Sequence, residues 1–165
     1  MKRNNKNNSN TRRILIMTKI LFVCHGNICR SPMAEFVMKD LVAKAGLSDN
    51  FEIASAATSR EEIGNPVHPG TRAKLGEFGI STKGKTARQM TKEDYAYYDY
   101  IIAMDTWNVK NINRIIGADL EHKVSMLLSH AGDYRDIADP WYTGNFDETY
   151  DDVLCGCRAL LDELM

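Results

Sequence analysis

The stretch Ile20-Leu-Phe-Val-Cys-His-Gly-Asn-Ile-Cys-Arg-Ser-Pro32 joins an apolar run to a cysteine and then to a short polar turn. Residues 19–24 favour extended structure, and a short apolar run that ends at a turn is typical of a buried strand. Ser31 can cap a helix, and the proline after it suits the first helical position. The stretch therefore predicts a strand, a tight turn and a helix over 32–45.

The remainder of the chain continues this alternation of strand and helix. Further strands are predicted at 51–56, 98–104 and 124–128, helices begin near 71, 91 and 106, and a loop covers 133–145. The last segment, 146–164, repeats apolar residues at helical spacing. Strands that alternate with helices imply parallel pairing and a sheet covered on both faces. The expected fold class is α/β, a single domain with a four-stranded parallel sheet and helices on both faces.

Composition bounds the function. The 165 residues are 44% hydrophobic and 26% charged with a net charge of −1, which fits one globular domain and gives no reason to expect nucleic acid or membrane partners. The four cysteines are too few for a disulfide scaffold and are not spaced as a zinc site. Residues 1–18 form a basic, Asn-rich tail that we expect to be disordered rather than a nucleic-acid arm, which leaves 19–165 as the domain. No apolar run near the start is long enough for a signal peptide or a membrane span, so a cytoplasmic monomer without metal or cofactor is expected.

The turn after the first strand carries the chemistry. Cys24 lies where parallel α/β sheets place their sites, at the carboxyl end of a strand. The helix that follows presents unpaired backbone N–H groups and a partial positive charge, which together bind anions. The same field stabilises a thiolate, and Arg30 offers a planar fork for two phosphoryl oxygens.

Other residues of the turn support this interpretation. Gly26 permits an unusual backbone angle or a close approach, Asn27 can tie the loop together, and the Ser31 hydroxyl can stabilise the Cys24 sulfur. The alternative is a buried structural cysteine beside a surface arginine. A preceding strand and a following helix start favour a nucleophile inside a phosphate cradle.

Residues Val23-Cys-His-Gly-Asn-Ile-Cys-Arg-Ser-Pro32 resemble the signature loop of the low-molecular-weight protein tyrosine phosphatases, and the resemblance runs from about Lys19 to Met165. It implies an enzyme, a phosphoric monoester hydrolase acting on phosphotyrosine proteins or small aryl phosphates through a cysteinyl-phosphate. It also implies that loop positions around the nucleophile bind phosphate or support the loop: His25, Gly26, Asn27, Ile28, Cys29 and Ser31. By the same analogy, Cys29 can form a reversible disulfide with Cys24; the alternative is that Cys29 only fills space in the loop.

The resemblance also points to the general acid. The family uses an Asp in an Asp-Pro-aromatic stretch, and here Asp139-Pro140-Trp141-Tyr142 lies in the predicted loop. Trp141 and Tyr142 are expected to form one wall of the substrate slot. Glu61 falls near the position where many members carry an aromatic residue on the opposite wall. Lys85 stands where many members have a histidine, which puts one supporting hydrogen bond in doubt because lysine accepts none.

Three other functions were weighed. An arsenate reductase of this fold needs two further cysteines, and residues 80–100 contain none. Protein-arginine phosphatases resemble this loop but carry Thr at the position of Ile28, whose apolar side chain favours a flat phenol slot. A phosphate-binding module without turnover would lack a nucleophile or an acid. Phosphotyrosine hydrolysis is the preferred prediction, with these three as its alternatives.

Overall fold

The computed structural model describes residues 16–165, so most of the predicted tail lies outside the described residues. Its strands are β1 (Thr18–Cys24), β2 (Phe51–Ala57), β3 (Tyr100–Ala103) and β4 (Val124–Met126). Its helices are α1 (Arg30–Lys44), α2 (Pro69–Gly76), α3 (Lys92–Tyr97), α4 (Thr106–Ile116), α5 (Pro140–Thr143) and α6 (Phe146–Leu164). Short 3₁₀ helices span Ser48–Asn50 and Leu127–Ala131.

The four strands form one parallel sheet in the order β2-β1-β3-β4, which confirms the predicted fold class. Because side chains alternate across a strand, β1 supplies both cores. Ile20 and Phe22 pack with α1 and α6 on one face, whereas Leu21 and Val23 pack on the other face, which α4 covers. Residues 20–24 of β1 are buried, and its end at Cys24 is correspondingly fixed.

Several predicted boundaries were wrong for local reasons. α1 begins at Arg30 and not after Ser31, and its N-cap is Cys29, which makes no side-chain capping bond. The Ser31 hydroxyl is instead engaged inside the turn, so it cannot cap the helix. The fourth strand ends at Met126, because Leu127 starts a 3₁₀ helix, and the predicted loop 133–145 contains the one-turn helix α5.

The parallel strands bring four connections together at one edge of the sheet. The loop after β1 lies beside the loop after β2, where Thr58 N donates to Cys24 O and Ser59 N donates to His25 O. On the other side, Ile137 N donates to Met104 O, which ties the loop before α5 to the end of β3. The fold thereby gathers Cys24, residues 58–62, Asp105 and Asp139 around one site. No helix within residues 16–165 combines the length and the apolar character needed to cross a bilayer.

Candidate active site

Four side chains form what we call the floor: Cys24, Asn27, Arg30 and Ser31, with relative exposures of 3%, 0%, 2% and 0%. The Cys24 sulfur accepts a hydrogen bond from the Asn27 backbone N–H at 3.3 Å and lies 3.1 Å from the Ser31 hydroxyl oxygen. Two polar groups thus face the sulfur from inside the loop. This arrangement stabilises a negative charge on sulfur.

The Asn27 side chain holds the floor together. Its Nδ2 donates to Ser31 Oγ at 2.7 Å and to Ser55 Oγ at 2.9 Å, and its Oδ1 accepts from the Arg88 N–H at 3.3 Å. The Cys24 thiol donates to Ser31 Oγ and the Ser31 hydroxyl donates to Ala56 O at 3.5 Å, whereas a Cys24 thiolate could accept from that hydroxyl. Asn27 thus contacts Ser31, Ser55 and Arg88, and its role as a tie for the loop stays a prediction.

The unusual backbone angle expected at Gly26 lies elsewhere. Asn27 has φ of +58°, in the left-handed region, whereas Gly26 does not have a positive φ. Asparagine tolerates this region better than most residues. A Cβ at Gly26 would lie 3.4 Å from Glu62 Cγ, an ordinary contact, so the loop approaches its neighbour there without excluding a side chain.

A buried charged group supports the floor from below, and the sequence interpretation missed it. The Ser55 hydroxyl donates to Glu35 Oε1 at 2.6 Å, and Glu35 is 4% exposed. Lys39 and Lys85 pair with this carboxylate at 2.6 and 3.3 Å. The i, i+4 spacing from Glu35 to Lys39 on α1 is a sequence signal for one of these contacts, but not for the burial of Glu35.

Lys85 contacts the loop support as a hydrogen-bond donor and not as the acceptor that a histidine could be at this position. It accepts nothing, but its Nζ donates to Ser55 O at 2.8 Å and pairs with Glu35. Burial lowers the pKa of Lys85, and the Glu35 carboxylate opposes that change. The lysine therefore supports the loop through Ser55 and Glu35 rather than by accepting a hydrogen bond.

Arg30 is anchored on three sides. Its Nη1 donates to Asp105 Oδ2 at 2.6 Å and to Ile137 O at 2.9 Å, and its Nη2 donates to Asp139 Oδ2 at 3.4 Å. Burial alone would lower the pKa of the Arg30 guanidinium, but Cys24 and the two carboxylates outweigh burial and raise it. The guanidinium is therefore a permanent positive charge held in one orientation.

Asp139 caps α5 and faces the floor. Its Oδ1 accepts from the Trp141 N–H at 3.0 Å, while Oδ2 faces Arg30, and its side chain is 24% exposed. A carboxyl held this way is fixed in position yet open to solvent. The Asp139 carboxyl therefore lies next to the end of the Arg30 side chain.

Cys24, Arg30 and Asp139 line one cavity of about 120 Å³, the catalytic pocket. Its other lining residues are His25, Gly26, Ile28, Cys29, Glu61, Glu62, Trp141 and Tyr142. The structure thus brings all predicted pocket residues together except Asn27 and Ser31, which belong to the floor but do not line the cavity. Glu62 was not predicted, because nothing distinguishes it from an ordinary surface acid.

We call the exposed residues around this pocket the rim: His25, Glu61, Trp141 and Tyr142. Trp141 and Tyr142 are 57% and 83% exposed, and His25 Nε2 lies 3.0 Å from Glu61 Oε2. The two aromatic side chains stand on α5, and the His–Glu pair stands on the β1 and β2 loops. A flat group that enters the pocket therefore passes between aromatic and polar side chains.

Cys29 lies beside the nucleophile without sharing its environment. Burial raises the pKa of the Cys29 thiol to about 12, and the charges of Cys24 and Asp139 add to the rise. Cys29 packs with Ile28 and Ala87 in a small apolar cluster. At neutral pH it is a neutral thiol.

Comparison with known proteins agrees with this geometry. Residues 19–165 match the family model described as low molecular weight phosphotyrosine protein phosphatase. The Bacillus subtilis low molecular weight protein-tyrosine-phosphatase YfkJ is 44% identical over 147 residues, which cover 88% of this chain and 94% of YfkJ. The human low molecular weight phosphotyrosine protein phosphatase is 40% identical over 149 residues, which cover 87% of this chain and 94% of the human protein.

Solved structures extend the likeness. The crystal structure of Bacillus subtilis YfkJ has a TM-score of 0.87 at 43% identity, and covers 90% of this chain and 94% of its own. A Drosophila arginine phosphatase, DARP, has a TM-score of 0.82 at 29% identity over 89% of this chain and 98% of its own. With the match spanning the floor, the rim and the whole sheet, the chain belongs to the low-molecular-weight phosphotyrosine protein phosphatase family.

Proposed function

We propose that this protein hydrolyses phosphotyrosine and other aryl phosphate monoesters through a cysteinyl-phosphate on Cys24. The observation that carries the proposal is that Cys24, Arg30 and Asp139 line one small cavity, in which sulfur, guanidinium and carboxyl face the same space. Each has a partner that fixes it, so the three form a preorganised set.

In the first step, the phosphate dianion binds to the loop amides and to the Arg30 fork. The Cys24 sulfur attacks phosphorus while the bond from phosphorus to the aryl oxygen breaks. Asp139 donates its proton to that oxygen, which leaves as a phenol. Arg30 and the amides stabilise the charge on the equatorial oxygens.

In the second step, water attacks phosphorus and the bond from phosphorus to sulfur breaks. Asp139 now accepts the proton of the water, which restores its acid form. The Ser31 hydroxyl, 3.1 Å from the sulfur, donates to the departing thiolate. Inorganic phosphate is released and Cys24 is regenerated.

The test begins with p-nitrophenyl phosphate. We expect Cys24→Ser to reduce kcat by at least about a thousandfold, whereas Cys155→Ser, at an exposed cysteine on α6, retains activity. Asp139→Asn should lose about a hundredfold on phenyl phosphate and less on p-nitrophenyl phosphate, whose leaving group needs no proton. Wild-type turnover by Cys24→Ser would refute the proposal.

Matched peptides separate the candidate substrates. The phosphate of phosphoserine sits on a short stem, so a narrow pocket should favour phosphotyrosine over phosphoserine. The likeness to an arginine phosphatase makes a phosphoarginine peptide the necessary third substrate. A higher kcat/KM on phosphoarginine than on phosphotyrosine would replace the proposed substrate class with that alternative.

We also infer a cytoplasmic monomer that uses no metal or cofactor. All four cysteines are free, which fits a reducing compartment. Light scattering after size exclusion would measure the mass, and fractionation of cells would locate the protein. A mass that is twice 18.6 kDa would contradict the monomer.

A further inference from the structure

A second cavity of about 420 Å³ lies beside the catalytic pocket, between the start of α4 and α5. It shares four lining residues with that pocket: His25, Arg30, Asp139 and Tyr142. We call this cavity the α4 groove. Because the two cavities meet at these residues, a chain that leaves the mouth of the catalytic pocket can continue directly into the α4 groove.

Trp107 is the distinctive residue of the α4 groove. The chain has two tryptophans, and both are exposed: Trp107 by 64% and Trp141 by 57%. Each lines one of the two adjoining cavities. Exposed tryptophan leaves a large apolar surface in water, and aromatic residues are enriched where proteins contact partners.

The position of Trp107 is well defined. It lies in the first turn of α4, whose N-cap Asp105 accepts from Asn108 N at 2.7 Å and from Arg30 at 2.6 Å. Lys110 Nζ lies 4.9 Å from the centroid of the Trp107 ring, so one face of the ring is partly covered. The helix that presents the ring is therefore anchored to the floor.

The side-chain oxygens of the two asparagines in the α4 groove are already engaged. Asn108 Oδ1 accepts from the Met104 and Asp105 N–H groups, and Asn111 Oδ1 accepts from Arg114. What these groups leave for a ligand is the aromatic surface of Trp107 and Tyr142. An apolar or aromatic side chain suits that surface better than a charged one.

We propose that the α4 groove is a second subsite of the active site, and that it binds an apolar side chain next to the phosphotyrosine of a peptide substrate. This proposal rests on the proposed phosphotyrosine activity. The phosphotyrosine ring occupies the catalytic pocket, and the peptide emerges at the shared residues. An extended peptide advances about 3.3 Å per residue, so the three residues that follow the phosphotyrosine extend about 10 Å from the shared residues along the α4 groove that Trp107 lines.

Kinetics with phosphotyrosine peptides test the subsite. In a Gly/Ser peptide, a single Leu is placed in turn at each of the three positions before and after the phosphotyrosine. At one position we expect Leu to raise kcat/KM about fivefold to tenfold over Gly. Trp107→Ala should bring that ratio to about one. Tyr134→Ala, at a 79% exposed aromatic residue outside both cavities, should keep the wild-type ratio.

Tryptophan fluorescence gives an independent readout. In a Cys24→Ser, Trp141→Phe protein, Trp107 is the single tryptophan. Its emission should shift when the preferred Leu peptide binds, and inorganic phosphate alone should leave it unchanged.

The outcomes are distinguishable. A wild-type protein that hydrolyses phosphotyrosine peptides with no preference for Leu at any position, or with a preference that Trp107→Ala retains, overturns the subsite and leaves the proposed function intact. Failure to hydrolyse any phosphotyrosine peptide overturns both.

Discussion

Every side chain of the floor is at most 3% exposed, whereas Trp141 and Tyr142 of the rim are 57% and 83% exposed. Floor residues make hydrogen bonds to one another, to Ser55 and to Asp105, and Ser55 in turn donates to Glu35, so each holds its neighbours. Rim residues make few such bonds. The floor therefore sets which reaction occurs, and the rim sets which substrates reach it.

The largest effect is expected from Arg30→Lys. Lysine is a point charge that cannot hold two phosphoryl oxygens together with Asp105 and Ile137 O. We expect kcat/KM for p-nitrophenyl phosphate to fall at least about a hundredfold. Arg158→Lys, at an exposed position of α6, is the control and should change nothing. Near-normal activity in Arg30→Lys would mean that the floor does not bind phosphate as described.

Asn27 separates the backbone contribution to the floor from the side-chain contribution. Asn27→Gly and Asn27→Ala both remove the bonds to Ser31 and Ser55, and we expect about a tenfold loss of kcat from either. Glycine tolerates φ of +58°, whereas alanine is strained there. The free energy of unfolding of Asn27→Ala should therefore be ~1 kcal/mol lower than that of Asn27→Gly. Urea unfolding measures the difference. Equal stability of the two variants would show that the backbone angle costs nothing.

Substitutions in the rim should change kcat/KM less than substitutions in the floor do, and only for some substrates. The negative charge of Glu61 at the mouth of the pocket repels acidic peptides, and Glu61→Gln removes that charge. For a phosphotyrosine peptide flanked by glutamates, kcat/KM should rise about twofold to fivefold at low salt and less at high salt. Glu121→Gln, at an exposed position outside the pocket, is the control. A similar rise for a neutral peptide would argue against a charge effect.

The smallest effect is expected from substitution of Lys85, and it should appear as a change in how the free energy of unfolding depends on pH. Because burial lowers its pKa, the unfolded chain holds the Lys85 proton more tightly than the folded protein does. Raising the pH towards the ordinary lysine range therefore favours folding. As the pH rises from 7 to 10, the free energy of unfolding of the wild type should increase relative to that of Lys85→Met. The exposed Lys83→Met control should show no such trend, and a gain in the opposite direction would contradict the assigned environment of Lys85.

The sequence predicted the sheet correctly because the sheet depends on local patterns, whereas the prediction of the pocket residues relied on the resemblance to the family. The apolar run before Cys24 fixed β1, and the Asp-Pro-aromatic stretch located Asp139 and its neighbours. These features survive in the structure with boundaries shifted by a few residues.

What the sequence did not predict depends on contacts between distant segments. Ser31 looked like a helix cap, but its hydroxyl is engaged by Asn27 and Cys24. Glu35 carries no motif on α1, and its buried contact depends on Ser55 of β2, which donates to it. Trp107 carries no motif, and its importance appears only when α4 lies beside α5.

The most direct test of the account is to find where the phosphoryl group resides during turnover. Asp139→Asn protein, mixed with p-nitrophenyl phosphate and quenched in acid, should carry phosphate on the peptide containing Cys24. This substrate forms the intermediate without Asp139 because p-nitrophenolate leaves without a proton, whereas hydrolysis of the intermediate needs Asp139 as a base. Mass spectrometry of the digest detects this phosphate, and Cys24→Ser should carry none. Continued release of phosphate while Cys24 is never modified would contradict the central claim that this sulfur is the nucleophile.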